Sequence, residues 1–110
     1  MSDLSPKITV YVTNHNYGKY IDQCIESIYA QTFEDFELII IDDGSTDGSD
    51  RLIRKYEGLR QTRVVIKEGE GLNKTNNLAL RLARGQYIIS CGIGVCLNII
   101  DRMRIICLCI

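Results

Sequence analysis

A nearly continuous apolar run at residues 36–41 constrains the fold of this chain more than any other feature. In one-letter code it reads FELIII, interrupted only by Glu37, and it stops at Asp42-Asp43-Gly44-Ser45. A strand without alternation of apolar and polar residues is typical of a parallel sheet that is covered on both faces. The run therefore predicts a buried parallel strand whose carboxyl end carries two adjacent carboxylates.

Strand and helix patterns alternate along the chain around this run. The spacing predicts strands at residues 7–12, 36–41, 63–67 and 86–89, and helices at residues 20–30 and 73–84. Between them, Asp47 or Ser49 caps a predicted second helix that ends near Gly58. Three β-α units and a further strand predict an α/β, Rossmann-like parallel sheet with helices on both faces. Ligands bind such sheets beyond the carboxyl ends of the strands.

The composition excludes several classes of function. With 13 basic and 14 acidic side chains, the 110-residue chain has a formal net charge of −1, so it lacks the basic footprint of a nucleic-acid-binding protein. Its apolar runs are too short for a signal peptide or a membrane span, so we expect a cytoplasmic location, either free or peripheral to the inner face of the membrane. The five cysteines form no C-x-x-C pair, and we expect neither a disulfide framework nor a zinc site.

The loop after the first predicted strand argues against a dinucleotide-binding domain. Residues 13–19 read TNHNYGK and lack the closely spaced glycines, or the glycine-lysine loop, that let a backbone touch phosphates. They offer instead a hydroxyl, amides and a flat imidazole, which are suited to hydrogen bonding and stacking on a nucleotide base. The loop after the first strand therefore predicts that this end of the sheet binds a nucleotide base.

Four blocks of the sequence, in order between Ile8 and Ile89, resemble family 2 glycosyltransferases of the GT-A fold. The strand and turn FELIIIDDGSTDGS at residues 36–49 is similar to that family almost residue for residue. The other blocks are ITVYVTNHN at residues 8–16 with the following helix, GL with NNLAL near residues 71–80, and ARGQYI at residues 83–88. The resemblance implies transfer of a sugar from a nucleotide-diphospho-sugar to a saccharide or lipid-linked acceptor.

The resemblance also implies a nucleotide-binding site, formed by Thr13, His15, Asp42, Asp43 and Asn76. The positions of Thr13, His15 and Asp43 contact the base in that family, and a carboxylate accepts the imino N–H of uracil, thymine or guanine. The implied donor is a UDP-, dTDP- or GDP-sugar. His15 stands where tyrosine is usual, and Asn76 where many members carry arginine near the phosphates. The alternative for the two aspartates is a turn-capping role, and for His15 an exposed loop residue without function.

The resemblance breaks after the fourth predicted strand. The family continues there with a D-x-D-D motif that holds Mg²⁺ or Mn²⁺, whereas an ungapped alignment places Gly92, Gly94 and Val95 at the acidic positions. None of these side chains offers an oxygen ligand, so we expect no metal site and no catalytic residue in this chain, although an intact member would use Mg²⁺ or Mn²⁺.

Residues 90–110 form an apolar, Cys-rich segment that carries no recognisable acceptor-site motif. We expect residues 1–89 to form the nucleotide-sugar-binding half of a GT-A domain and residues 90–110 an atypical tail, produced by a frameshift that truncated the enzyme. The alternatives are a short paralogue that ends in an amphipathic helix, and a catalytically dead nucleotide-binding or partner-binding module. The apolar tail also predicts self-association.

Overall fold

The computed structural model describes residues 6–30 and 34–91 and the backbone of residues 108–109. Strands and helices alternate through the first two ranges. They are β1 (Ile8–Asn14), α1 (Ile21–Tyr29), β2 (Phe36–Asp43), α2 (Ser49–Arg54), β3 (Thr62–Lys67), α3 (Leu72–Leu82) and β4 (Tyr87–Cys91), followed by β5 (Leu108–Cys109). The predicted alternation is confirmed. The second helix ends before Gly58, because the residues after Arg54 form turns that close at Thr62.

The described strands form one sheet in the order β3-β2-β1-β4-β5, and β1 to β4 are parallel. In the register, Ile8 lies beside both Phe36 and Tyr87, so the central strand β1 is flanked by β2 and β4. Short β5 pairs antiparallel with β4. Apart from the backbone of residues 90–91 in β4 and of β5, the predicted tail lies outside the described residues, and its self-association stays a prediction.

Alternate residues of each strand pack against different helices. Val10, Leu38 and Ile40 point to one face, where they contact α1 and α2, whereas Tyr11, Ile39 and Ile41 point to the other face, where they contact α3. The buried stripe of α1 matches the predicted one and consists of Ile21, Cys24, Ile25 and Ile28. Both faces of the sheet are therefore covered, which explains why β2 shows no apolar and polar alternation.

Within residues 6–30 and 34–91, no helix is long and apolar enough to cross a membrane.

Candidate functional site

A buried polar network holds the β2–α2 turn against the end of β1. The Asn14 side-chain amide donates to Asp42 Oδ1 at 2.7 Å and to Ser49 Oγ at 2.8 Å. Asp42 also accepts the Ser45 hydroxyl at 2.6 Å and the Ser45 N–H at 3.0 Å. Asp42 is only 1% exposed, so its carboxylate is used inside the fold to fix the turn.

A second set of contacts joins the β1–α1 loop to the same turn. Asn16, which has a φ of 63°, accepts the N–H groups of Thr46 at 2.7 Å and Asp47 at 3.2 Å. The Asp47 carboxylate in turn accepts the N–H of Gly18 at 2.9 Å and that of Ser49 at 2.9 Å. These bonds satisfy backbone groups in both loops and therefore fix their relative position.

Asp43 lies on the opposite side of β2 from Asp42 and is held by the β3–α3 loop. Its Oδ1 accepts Lys67 Nζ at 2.8 Å and the Glu70 N–H at 2.9 Å, and its Oδ2 accepts the Gly71 N–H at 3.1 Å. Burial by itself raises the pKa of Asp43, but Lys67 and the two amides outweigh this effect, so the pKa lies below its ordinary value. Asp43 is therefore a fixed, ionised hydrogen-bond acceptor at neutral pH.

Gly44 brings the β3–α3 loop close enough to make these bonds. It has a φ of 74°, and a Cβ at this position would lie 2.5 Å from the backbone nitrogen of Gly69. Glycine is thus required here both for the backbone conformation and for the close approach of the two loops.

The His15 ring is oriented by a hydrogen bond between Nδ1 and the Asp43 carbonyl oxygen at 2.8 Å. Because a carbonyl oxygen only accepts, Nδ1 must carry the proton, which leaves Nε2 of the neutral ring as an acceptor. The ring itself is exposed at the carboxyl end of the sheet. It can therefore stack on a planar ligand without losing this bond.

These loops enclose a cleft of about 540 Å³ at the carboxyl ends of β1, β2 and β3, here called the carboxyl-edge cleft. It is lined by Thr13, Asn14, His15, Tyr17, Asp43, Gly69, Gly71, Leu72 and Thr75. The volume lies in the usual range for small-molecule sites, about 300–1,000 Å³. The Thr13 hydroxyl lies in the lining of the cleft and forms no hydrogen bond with another described residue.

Three of the five predicted site residues, Thr13, His15 and Asp43, line this cleft. The other two predicted site residues do not. Asp42 is buried behind the cleft, and Asn76 Oδ1 accepts the Tyr11 hydroxyl at 3.1 Å. A nucleotide contact by either of these residues stays a prediction.

Several lining residues were not predicted as site residues. Among them, Tyr17 and Leu72 are large side chains that are 48% and 61% exposed. Lys67 does not line the cleft, but it pairs with Asp43, which does. Tyr17 could have been predicted as a site residue, because it is an aromatic residue in a loop at the end of a strand. No comparable signal pointed to Lys67, because its contact with Asp43 joins residues 24 positions apart.

The residues described by the structure do not fit a divalent cation. No group of three His, Cys, Asp or Glu side chains in this part of the chain could hold a metal ion. Positions 92, 94 and 95, which align with the acidic motif of the family, lie outside the described residues and carry Gly, Gly and Val. These side chains supply none of the oxygen ligands that Mg²⁺ or Mn²⁺ needs.

Comparisons with known proteins agree with the fold. The chain is 38% identical over 84 residues to the chondroitin synthase of Escherichia coli, a match that covers 76% of this chain and 12% of that protein. Among solved structures, S. aureus TarS in complex with UDP-GlcNAc matches with a TM-score of 0.71 and 31% identity over 78% of this chain and 26% of that chain.

A second solved structure is the mannosyltransferase PcManGT of Pyrobaculum calidifontis in complex with GDP-Man and Mn²⁺. It matches with a TM-score of 0.64 and 28% identity, covering 76% of this chain and 26% of that chain. This chain therefore spans only about a quarter of each solved structure, and less of the synthase.

The sequence profile of the family described as Glycosyl transferase family 2 matches residues 9–91, which include every residue of the carboxyl-edge cleft. The predicted parallel α/β architecture, the agreement with the two solved transferases and this match lead to one conclusion. The chain belongs to glycosyl transferase family 2 and has the GT-A fold.

Proposed function

We propose that this chain forms the nucleotide-binding part of a glycosyltransferase that moves a sugar from a nucleotide-diphospho-sugar to a saccharide or lipid-linked acceptor. The observation that carries the proposal is the meeting of Thr13, His15 and the Asp43 carboxylate in one cleft at the carboxyl edge of the sheet. Two solved structures that match this chain, one in complex with UDP-GlcNAc and one in complex with GDP-Man and Mn²⁺, support it. A cytoplasmic location, which we expect from the short apolar runs of the sequence, belongs to the same proposal.

The chemistry of the cleft suits a base more than a phosphate. Asp43 and Thr13 provide an acceptor and a hydroxyl, and His15, Tyr17 and Leu72 provide flat or apolar surfaces for a planar ring. The imino N–H of uracil, thymine or guanine can donate to Asp43, whereas adenine and cytosine present a bare ring nitrogen there. The donor is then a UDP-, dTDP- or GDP-sugar.

In our proposal this chain binds a nucleotide without catalysing sugar transfer. The cation of an intact family member would neutralise the leaving diphosphate, but Gly92, Gly94 and Val95 supply no ligand for it. The second candidate function, a nucleotide-binding or partner-binding module without catalysis, is favoured by this same substitution. Both candidates bind a nucleotide in the carboxyl-edge cleft without a metal ion. The effect of Mn²⁺ on nucleotide affinity tests this shared claim.

Calorimetric titration with UDP, dTDP and GDP, each with and without Mn²⁺, tests the proposal. We expect binding of at least one of the three, with an affinity that Mn²⁺ leaves unchanged. Stronger binding in Mn²⁺ would contradict the absence of a metal site. If none of the three binds, the nucleotide-binding proposal is wrong.

Replacement of Asp43 tests the proposed base contact. Asp43→Ala should weaken nucleotide binding by roughly tenfold to a hundredfold, because a hydrogen bond to a charged group contributes about 1.5–3 kcal/mol. Asp35→Ala is the matched control, since Asp35 is exposed at the amino end of β2. Thr13→Val, which keeps the shape of the side chain, gives a second test if Asp43→Ala unfolds. Unchanged affinity in both cleft variants would leave the two residues with a structural role alone.

A further inference from the structure

The hydrogen bonds around Asp43 restrict what its carboxylate can still accept. A carboxylate offers about four acceptor positions, two on each oxygen. Lys67 and the Glu70 N–H occupy both positions on Oδ1, and the Gly71 N–H occupies one on Oδ2. One acceptor position on Oδ2 is therefore left for a ligand.

The bases that carry an imino N–H differ in how many acceptors they need from a carboxylate. Uracil and thymine present a single N–H between two carbonyl groups, whereas guanine presents its ring N–H beside an amino group. A carboxylate that binds guanine through this edge needs both oxygens, as in other two-donor contacts. Guanine would therefore have to displace Lys67 or the Glu70 amide from Asp43 Oδ1.

We propose that Lys67 determines the base specificity of the carboxyl-edge cleft: by occupying Asp43 Oδ1, it selects uracil and thymine nucleotides over guanine nucleotides. This inference rests on the proposed function, because it concerns the same site. It narrows the proposed donors from UDP-, dTDP- and GDP-sugars to UDP- and dTDP-sugars. Lys67 acts through Asp43 and is not among the residues that line the cleft. It is therefore a positioning residue.

Three features hold Lys67 in place. Its side chain is only 13% exposed, and besides Asp43 it donates to Glu70 Oε1 at 2.9 Å and to the Glu68 carbonyl at 3.3 Å. The two acidic partners raise the pKa of Lys67 against the opposing effect of burial, so it stays a charged donor. Displacing Lys67 would thus break several contacts at once.

The Thr13 hydroxyl lies in the same cleft and offers a donor to a base that is bound by Asp43. A single N–H donated to Asp43 brings the two flanking carbonyl oxygens of uracil or thymine towards the walls of the cleft. A hydroxyl can donate to one of them, which reduces their repulsion with the carboxylate. Guanine also has a carbonyl beside its ring N–H, so this bond strengthens base binding without selecting between the bases, and the selection depends on Lys67.

Nucleoside diphosphates that differ only in the base test this proposal on the unmodified chain. UDP, GDP and inosine diphosphate share the same ribose and diphosphate, and inosine diphosphate is GDP without the amino group. We expect UDP to bind about tenfold more tightly than GDP, the effect of one lost hydrogen bond to a charged group. Inosine diphosphate should also bind more tightly than GDP, a comparison that removes the effect of ring size.

A variant then tests the role of Lys67. Lys67→Met removes the donor to Oδ1 and keeps most of the side-chain length, so the ratio of UDP to GDP affinity should fall from about ten towards one. Lys7→Met is the matched control, because it removes the same charge at the exposed amino end of β1. It should leave the ratio unchanged. If Lys67 served only to stabilise the loop, both affinities would fall together and the ratio would stay constant.

The outcomes separate this inference from the proposed function. Binding of GDP more tightly than inosine diphosphate or UDP would overturn the inference while nucleotide binding stands. An unchanged ratio in folded Lys67→Met would do the same for the role of Lys67. Should the variant fail to fold, the comparison of the three diphosphates on the unmodified chain still decides the selectivity. If none of the nucleotides binds, both the proposed function and the inference fall.

Discussion

Glu37 carries a carboxylate that is completely buried at the amino edge of the sheet, opposite the carboxyl-edge cleft. Its Oε2 accepts the Thr9 hydroxyl at 2.7 Å and the Arg84 N–H at 2.7 Å, and its Oε1 forms ion pairs with Arg63 at 3.2 Å and Arg84 at 3.3 Å. Burial alone raises the pKa of Glu37, but these partners outweigh it and hold the pKa below its ordinary value. The carboxylate therefore joins β1, β3 and the end of α3.

Glu37→Gln should lower the free energy of unfolding by about 3 kcal/mol. The amide keeps the size of the side chain, but its NH₂ group faces donors and leaves them without an acceptor. Urea unfolding measures the change, and Glu34→Gln at an exposed position just before β2 is the matched control. Equal stability of the two variants would show that the ion pairs of Glu37 make no net contribution to the free energy of unfolding.

Asp42 and Asp43 show what the sequence could and could not reveal about the site. Both stood at a predicted strand end, and both were predicted to bind the nucleotide. The two-residue period of β2 places them on opposite faces, so Asp42 joins the buried Asn14 network and Asp43 reaches the cleft. The alternation that places Asp42 and Asp43 on opposite faces of β2 could be predicted from the sequence. The contact of Asp43 with Lys67 could not, because it depends on how closely two loops approach.

At the scale of the elements, the connection between α2 and β3 contains a strained turn. The N–H of Thr62 donates to the Leu59 carbonyl at 2.8 Å, and the two residues between them, Arg60 and Gln61, have φ values of 47° and 57°. Two positive φ values suit glycine and asparagine. Arg60 has a compensating role, since its guanidinium donates to the Tyr29 carbonyl and lies 4.8 Å from the Tyr29 ring centroid.

Gln61→Gly should therefore stabilise the chain by about 0.5–1 kcal/mol, because relief of the left-handed strain exceeds the added entropy of the unfolded chain. Gln23→Gly, at an exposed position of α1, is a control with the opposite expected sign, a loss of about 1 kcal/mol. Thermal unfolding of both variants measures the two effects. A loss of stability in Gln61→Gly would argue that this turn is not strained.

Element types were predicted well because each has its own hydrophobic period. The stripe of α1 repeats at helical spacing, and β2 is a continuous apolar run, so both were readable directly. Strand β5 was not predicted, since Leu108–Cys109 lies in an apolar segment without alternation or turn residues. Its antiparallel pairing with β4 is a tertiary contact that local pattern does not encode.

At the scale of the whole molecule, the shifted pKa values bound the pH range in which the fold is stable. Glu37, Asp43, Asp47 and Glu70 all have folded-state pKa values below their ordinary ones. Each contributes stability that is present above its unfolded pKa of about 4 and is lost as pH falls through the lower folded value. Asp47 and Glu70 are exposed, so salt should screen their share, whereas Glu37 and Asp43 are enclosed.

At alkaline pH the relevant pKa shifts have the opposite sign, because two tyrosines have folded-state pKa values above the ordinary one. Burial and the Asp22 carboxylate raise the pKa of Tyr56, and burial raises that of Tyr29, so their stabilising share is present below about pH 10 and is lost at higher pH. Urea midpoints measured from pH 3 to 11 should thus form a plateau between about pH 5 and 10, with a fall on both sides. In Glu37→Gln the acid limb should become shallower, while 0.5 M NaCl should change that limb only slightly. An acid limb that salt abolishes would mean that the exposed carboxylates, and not Glu37 and Asp43, set the pH dependence of stability.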